Sequence, residues 1–145
     1  CLKKGLSVVQ GDANYDLNDF SDNSFSTVIL SQTIQATIFP ERVIKNLIRI
    51  GEKAIISFPN FGFWKVRRDF FFSGKMPKNK ILPYEWFNTP NIHLCSVNDF
   101  IHLCDKNRIK IIDKVLLNED GKRLWSKSFL KNLLTYQVIF CVSKK

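Results

Sequence analysis

The first residues whose types and order could do chemistry are Gly11-Asp12-Ala13, which close a short apolar run. A carboxylate there can accept a hydrogen bond from an exocyclic amine such as that of adenine, and the next backbone N–H can meet a ring nitrogen. On three residues alone, a strand-ending turn is the plainer reading. The second candidate is Leu30-Ser31-Gln32-Thr33-Ile34-Gln35, where an apolar run opens into a polar stretch. In open α/β sheets such a loop lines the ligand crevice, although an ordinary polar connector looks the same in sequence.

Two His-Leu-Cys triplets, His93-Leu94-Cys95 and His102-Leu103-Cys104, invite a metal reading because imidazole and thiolate are both zinc ligands. Spacing argues against it. His102 and Cys104 stand two positions apart on an expected helix and point to nearly opposite sides. Cys104 falls on the apolar stripe and reads as a small core residue, so no metal is expected. His93, just before that helix, reads first as a structural hydrogen-bonder and second as a substrate or partner contact. No Ser/His/Asp or Cys/His arrangement and no paired carboxylates propose a catalytic base.

The elements that must position these groups follow from periodicity. Leu6–Gln10 and Thr27–Leu30 read as strands buried on both faces, with a turn at Asp22-Asn23-Ser24 between them. Pro40 suits a first helical position, and Val43, Ile44, Leu47 and Ile48 recur at helical spacing, with Gly51 as the helix stop. Lys53–Phe58 is a third buried strand, and the order strand, helix, strand implies a parallel crossover. Ser96-Val97-Asn98-Asp99 has the Ser-x-x-acid form of a helix start, with Val97, Phe100, Ile101 and Cys104 on one face. Strands near Ile109–Leu117 and Tyr136–Ser143 finish the chain.

The stretch from about 59 to 95 is different. Between Pro59 and Cys95 it holds three prolines and the densest cationic and aromatic cluster, and a connection that long is usually a lid or binding segment. Phe63, Val66 and Phe70, with Phe71 beside them, fit one side of a short helix, with Lys65, Arg67 and Arg68 outward. The segment Phe61–Lys80 could serve a nucleic acid, a membrane surface or an acidic protein face, with a solvated lid as the plainest reading.

Composition sets the outer bounds. The 145 residues, 45% apolar, suffice for one domain core and not two. No apolar run approaches a membrane span, and Cys1-Leu2-Lys3-Lys4-Gly5 carries no targeting pattern, so a cytoplasmic location without a membrane is expected. Cys1, Cys95, Cys104 and Cys141 are sparse and irregularly spaced, which predicts free thiols. The net charge of +9 accompanies a lysine-, isoleucine- and asparagine-rich composition of the kind AT-rich coding produces. It is weak support for a nucleic-acid partner, and none is expected. The first residue is not Met, which reads as a processed chain or one that starts partway through a longer frame.

Several stretches together resemble one family. Val9-Gln10-Gly11-Asp12-Ala13, Val28 to Thr37, Ser57-Phe58-Pro59-Asn60-Phe61-Gly62 and Leu82 to Cys95 are similar to the methionine-biosynthesis MetW proteins, and the likeness spans nearly the whole chain. The last two motifs are more specific than Gly-Asp-Ala, and the short turn Arg49-Ile50-Gly51-Glu52-Lys53 also resembles that family. Ser26 departs from it, where relatives usually have Asp.

The resemblance implies a class I methyltransferase α/β fold of Rossmann-like type, with strand order 3-2-1-4-5-7-6 and the last strand antiparallel. On that template the chain begins at strand three and is a partial sheet of strands 3 to 7 lacking strands 1 and 2: a single incomplete domain over 1–145. By position, Asp12 and Ala13 would meet the adenine of S-adenosylmethionine, and Ser31 and Gln32 would line its crevice. Asn60, Trp64, Arg67 and His93 would contact a substrate or partner. Without the glycine turn and helix N-terminus of the missing part, the fragment is expected to bind S-adenosylmethionine weakly or not at all. The family implies a partner subunit supporting homoserine O-acyltransferase. The alternative is an S-adenosylmethionine-dependent methyltransferase acting on a small molecule, and a basic RNA-binding module ranks third.

Overall fold

The computed structural model describes residues 5, 8–124 and 130–145. Its centre is a four-stranded sheet built from β1 (Phe25–Ser31), β2 (Gly51–Pro59), β3 (Ile109–Leu117) and β4 (Gln137–Lys144), in the order β1-β2-β4-β3. β1 and β2 are parallel, and β4 runs antiparallel to both β2 and β3. Set on the 4-5-7-6 part of the template above, each strand finds its expected neighbour and direction.

Helix α1 (Pro40–Ile50) joins β1 to β2, and α3 (Val97–Lys106) leads into β3. Pro at the first turn gives up no hydrogen bond that an interior residue would make, and Val43, Ile44, Leu47 and Ile48 are all buried. Ser96 and Asp99 form a complete capping box on α3, with Val97, Phe100 and Cys104 buried below it. Both apolar stripes join one core with Leu30, Ala54, Ile56, Phe58, Val138, Phe140 and Val142, alternate residues of the strands. Phe58, Phe100 and Phe140 form its aromatic centre, with ring centroids 4.6 to 6.0 Å apart.

Gly51 closes α1 as its C-cap, as the sequence led us to expect, but through extended backbone and not a left-handed turn. Its φ of −122° is extended and it is the first residue of β2. What it provides is close approach, since a Cβ there would stand 2.6 Å from Val28 Cγ2 across the sheet.

The opening run also differs from expectation. Leu6 and Ser7 lie outside the described residues, and Val8–Gln10 form no strand and are exposed. The apolar character of Val8 and Val9 is real, but a strand needs a hydrogen-bonding neighbour, and the described residues supply none beside them. β1 is likewise not buried on both faces. Leu30 is covered by the core, whereas Ile29 is 67% exposed beside half-buried Ile55 and Cys141 in one row across the sheet.

Cys95, Cys104 and Cys141 are free thiols, and Cys1 is outside the described residues. Burial, and then the charge of Asp99 or Asp105, pushes the Cys95 and Cys104 thiols up to about 12. Both stay protonated at neutral pH and are poor nucleophiles there. Native protein treated with iodoacetamide at pH 8 should keep both unmodified until denaturant is added, as peptide mass mapping would read. Alkylation of Cys104 at the rate of a free thiol would contradict this packing.

Candidate functional site

The carboxyl ends of β1 and β2 present the crevice that the sequence points to. Gln32, directly after β1, is held in the left-handed region at φ 49°, a sparsely populated conformation for a non-glycine residue. Its N–H donates to Ser57 O at 2.8 Å and to Ser57 Oγ at 3.2 Å, so β2 fixes the strained turn. Ser31 Oγ lies 3.3 Å from Ser57 Oγ, and Thr33 Oγ1 donates back to Ser31 O at 2.8 Å. The residues Ser31 and Gln32 are both exposed at this end of the sheet.

Below that turn Gln35 is buried. Its Nε2 donates to Gln32 O at 2.9 Å, while its Oε1 is buried without a hydrogen-bond partner among the described residues. Its backbone carbonyl receives the N–H groups of Ile92 and His93, at 2.9 and 3.0 Å. The far end of the 59–95 segment is thereby docked on the crevice loop. A polar cavity of about 410 Å³ lies here, between Gln32, Gln35 and Pro59 on one side and Tyr84, Asn91 and Tyr136 on the other.

Asp12 and Ala13 belong to a loop tethered to the same region by Asn14. Asp12 Oδ1 accepts from Asn14 N–H and from Asn14 Nδ2, both at 2.8 Å. Asn14 Oδ1 in turn accepts from Ile38 N–H at 2.7 Å, just ahead of α1. Asp12 is exposed, and the Ala13 N–H has no partner among the described residues. Asn14 carries no role in the sequence, while Gln35 closes the second candidate stretch and Ser57 opens a family motif, neither with a role of its own. Asn14 could have been found, because an Asp side chain commonly accepts from the backbone two residues on, and Asn14 stands two residues after Asp12. Ser57, and the Gln35 carbonyl that receives Ile92 and His93, act through chain-distant contacts that no local pattern shows.

The residues proposed as contacts separate. Asn60 is 0% exposed, so it presents no surface to a ligand or partner. Its Nδ2 donates to Asn132 O and Thr135 O, each at 2.7 Å, and its Oδ1 accepts from Gly62 N–H at 3.1 Å and Val97 N–H at 3.2 Å. It joins the exit of β2 to the start of α3 and to the short helix α4 (Lys131–Leu134). His93 is exposed, with Nε2 3.4 Å from Ile38 O. Exposed His102 and buried Cys104 occupy different sides of α3.

Trp64 opens α2 (Trp64–Ser73), where Lys65 Nζ and the Arg68 guanidinium carbon stand over its ring at 5.6 and 5.1 Å. Arg67 is exposed and its Nε donates to Gly62 O at 2.6 Å. The helix ends at Gly74, whose φ of 62° is the left-handed stop. Phe63 and Val66 face inward and, with Phe61, Ile81, Leu82 and Tyr136, give the 59–95 segment a small core of its own. Phe70 and Phe71 are not part of that core; both are exposed.

A half-sheet of order β1-β2-β4-β3 with an antiparallel β4, a polar loop at the carboxyl end of β1 and a long segment inserted after β2 is the architecture of a class I methyltransferase-like domain. Solved structures agree at the level of fold. A SAM-dependent methyltransferase from Thermotoga maritima, described as a possible histamine N-methyltransferase, is similar with a TM-score of 0.64 and 18% identity, over 99% of this chain and 66% of that one. One from Archaeoglobus fulgidus is similar with a TM-score of 0.63 and 10% identity, over 98% and 69%. The family model of the methionine biosynthesis protein MetW matches residues 1–142, and the chain belongs to that family. A bifunctional methionine biosynthesis protein MetXA/MetW from Rhodopirellula baltica is 32% identical over 123 residues, 83% of this chain. The chain spans about one fifth of that relative's length. No helix among the described residues is long and apolar enough to cross a membrane.

Proposed function

We propose that this chain is a methyltransferase-fold partner subunit that supports homoserine O-acyltransferase in methionine synthesis. The observation that carries the reading is the Rhodopirellula baltica relative, whose name joins MetXA and MetW in one chain. Fusion places two activities at high effective concentration, the arrangement expected of polypeptides that act together. The test is co-purification of the tagged full-length protein from its native host, with homoserine acylation measured with and without it. Recovery of the acyltransferase and a faster acylation rate are expected. Neither recovery nor any change in rate would overturn the partner role.

We also propose that the crevice takes the adenine end of S-adenosylmethionine, which when bound supplies an activated methyl group. Exposed Asp12 and the free Ala13 N–H offer the acceptor and donor that an adenine edge requires, and Ser31 and Gln32 line the approach. The ligand's carboxylate needs a different site. Among the described residues, no glycine-rich turn carries a strand into a helix N-terminus; α1 and α2 follow strands but begin at Pro40 and Trp64. Residues 1–145 by themselves should therefore show no saturable binding of S-adenosylmethionine by calorimetry below about 1 mM. Tighter binding would place the whole ligand site within this chain.

The strained Gln32 turn and the orphaned Gln35 oxygen beside the polar cavity support the second reading, a methyltransferase acting on a small molecule. In it the 59–95 lid closes over an acceptor and positions its nucleophile for transfer. Methyl transfer to a defined acceptor by full-length protein, with no effect on homoserine acylation, would favour it over the partner role.

A further inference from the structure

We propose that the end of α2 and the turn after it, centred on Phe70, Phe71, Phe72, Met76 and Lys75, form the docking surface for an apolar, acid-rimmed pocket on the acyltransferase. This rests on the partner reading above and names the surface that serves it.

Phe71 is 82% and Phe72 80% exposed, with Phe70 and Met76 beside them also largely open. Isolated exposed apolar residues are ordinary, but four in seven positions make a contiguous patch of the kind that marks an interaction site. The two outermost rings stack edge to face with centroids 5.3 Å apart, so they offer one preassembled shape. The Lys78–Glu85 ion pair, at 2.7 Å, ties the following segment to the turn that carries exposed Trp86 and Phe87.

Charge identifies the occupant. From Phe61 to Lys80 the chain carries six cations, Lys65, Arg67, Arg68, Lys75, Lys78 and Lys80, against the single carboxylate Asp69. Lys65, Arg68 and Lys78 have carboxylate partners, whereas Lys75 and Lys80 form no ion pair among the described residues. A second copy of this chain would bring the same cations to the same face and be repelled, which excludes self-association through it. A flat lipid surface fits poorly as well. Consecutive helical residues point about 100° apart, so Phe70, Phe71 and Phe72 fan over roughly half the helix circumference. A plane accepts one side of a helix; a concave protein pocket accepts a fan.

The test measures affinity of the full-length protein for the homoserine O-acyltransferase of its own organism, at low and high salt. Three variants are compared: Phe71→Ser with Phe72→Ser, Lys75→Glu, and Ile112→Ser at an exposed site on β3. The double variant is expected to weaken binding at least tenfold or so, the loss typical of central aromatic anchors. Lys75→Glu should weaken it by several-fold at low salt and less at high salt. Ile112→Ser should bind as the parent does. Because Phe71, Phe72 and Lys75 are exposed, the melting temperatures should match, and Lys75→Glu decides the matter if the double variant is unstable.

Parent-like binding by both patch variants overturns this surface and leaves the partner role intact. No binding by the parent protein overturns the partner role, and the surface proposal with it. Loss of binding to phosphatidylserine-containing vesicles in the double variant, with acyltransferase binding unchanged, assigns the patch to a membrane and overturns the proposal.

Discussion

Replacing Asn60 with Ala should cost about 3–5 kcal/mol and remove much of the stability of the domain. The expectation follows from the four hydrogen bonds its amide makes while wholly buried: two donated to the carbonyls of Asn132 and Thr135, two accepted from the N–H groups of Gly62 and Val97. Removing the amide strands those backbone groups away from water, and each pays a desolvation penalty of about 1–3 kcal/mol unless solvent enters. Denaturant titration of the parent and variant proteins reads the loss directly. Asn60→Asp gives a second, pH-resolved reading. An ionised carboxylate keeps the two acceptor contacts but faces two carbonyls and buries a charge, so its folded-state pKa must rise. Stability of that variant should then recover as pH falls through the raised value, where the protonated acid can again donate. Asn60→Ala should show no such recovery. Parent-like stability of the alanine variant would mean that this cluster does not hold the β2 exit to α3 and α4.

The other large effect belongs to the aromatic centre of the core. Phe140→Ala should destabilise the fold by about 3–5 kcal/mol, because it deletes a fully buried ring and leaves a cavity that stiff strands cannot close. Phe140 is stacked on Phe100 at 4.6 Å and lies 6.0 Å from Phe58, so one truncation loosens β2, β4 and α3 together. Phe140→Leu, which keeps most of the volume, should lose much less. A thermal or urea melt that ranks alanine no worse than leucine would contradict the packing described here.

How much was legible in the sequence depended on how far apart the deciding residues stand. The capping box of α3 is four consecutive residues, and the stripe of α1 repeats within two turns; both could be read directly and both formed. The strands at 25–31, 51–59, 109–117 and 137–144 were visible as apolar runs, and the resemblance to a known family supplied their order. Val8 and Val9 misled because an apolar run says only that a strand could form, while its hydrogen-bonding neighbour must come from elsewhere. Asn60 was noticed for the wrong job. Its partners at 132 and 135 are more than seventy residues away, and no local pattern distinguishes a buried amide latch from an exposed contact. Phe70 and Phe71 were read beside Phe63 and Val66 on one side of a short helix because helical spacing allowed it; what periodicity could not show was that α2 buries only Val66. At the crevice, Asp12, Ala13, Ser31 and Gln32 were named from a strand-end position, but the groups that hold their loops, Asn14, Gln35 and Ser57, act across the fold.

Among the described residues β1 stands at one end of the sheet and pairs on one side, with β2, and Phe25 and Ile29 are exposed on it. A strand in that position still offers a ladder of peptide N–H and C=O groups to whatever extended chain arrives next. Handled in isolation and at high concentration, molecules of this domain have a chemical reason to zip together along that rim, and the rim carries no lysine or proline to discourage them.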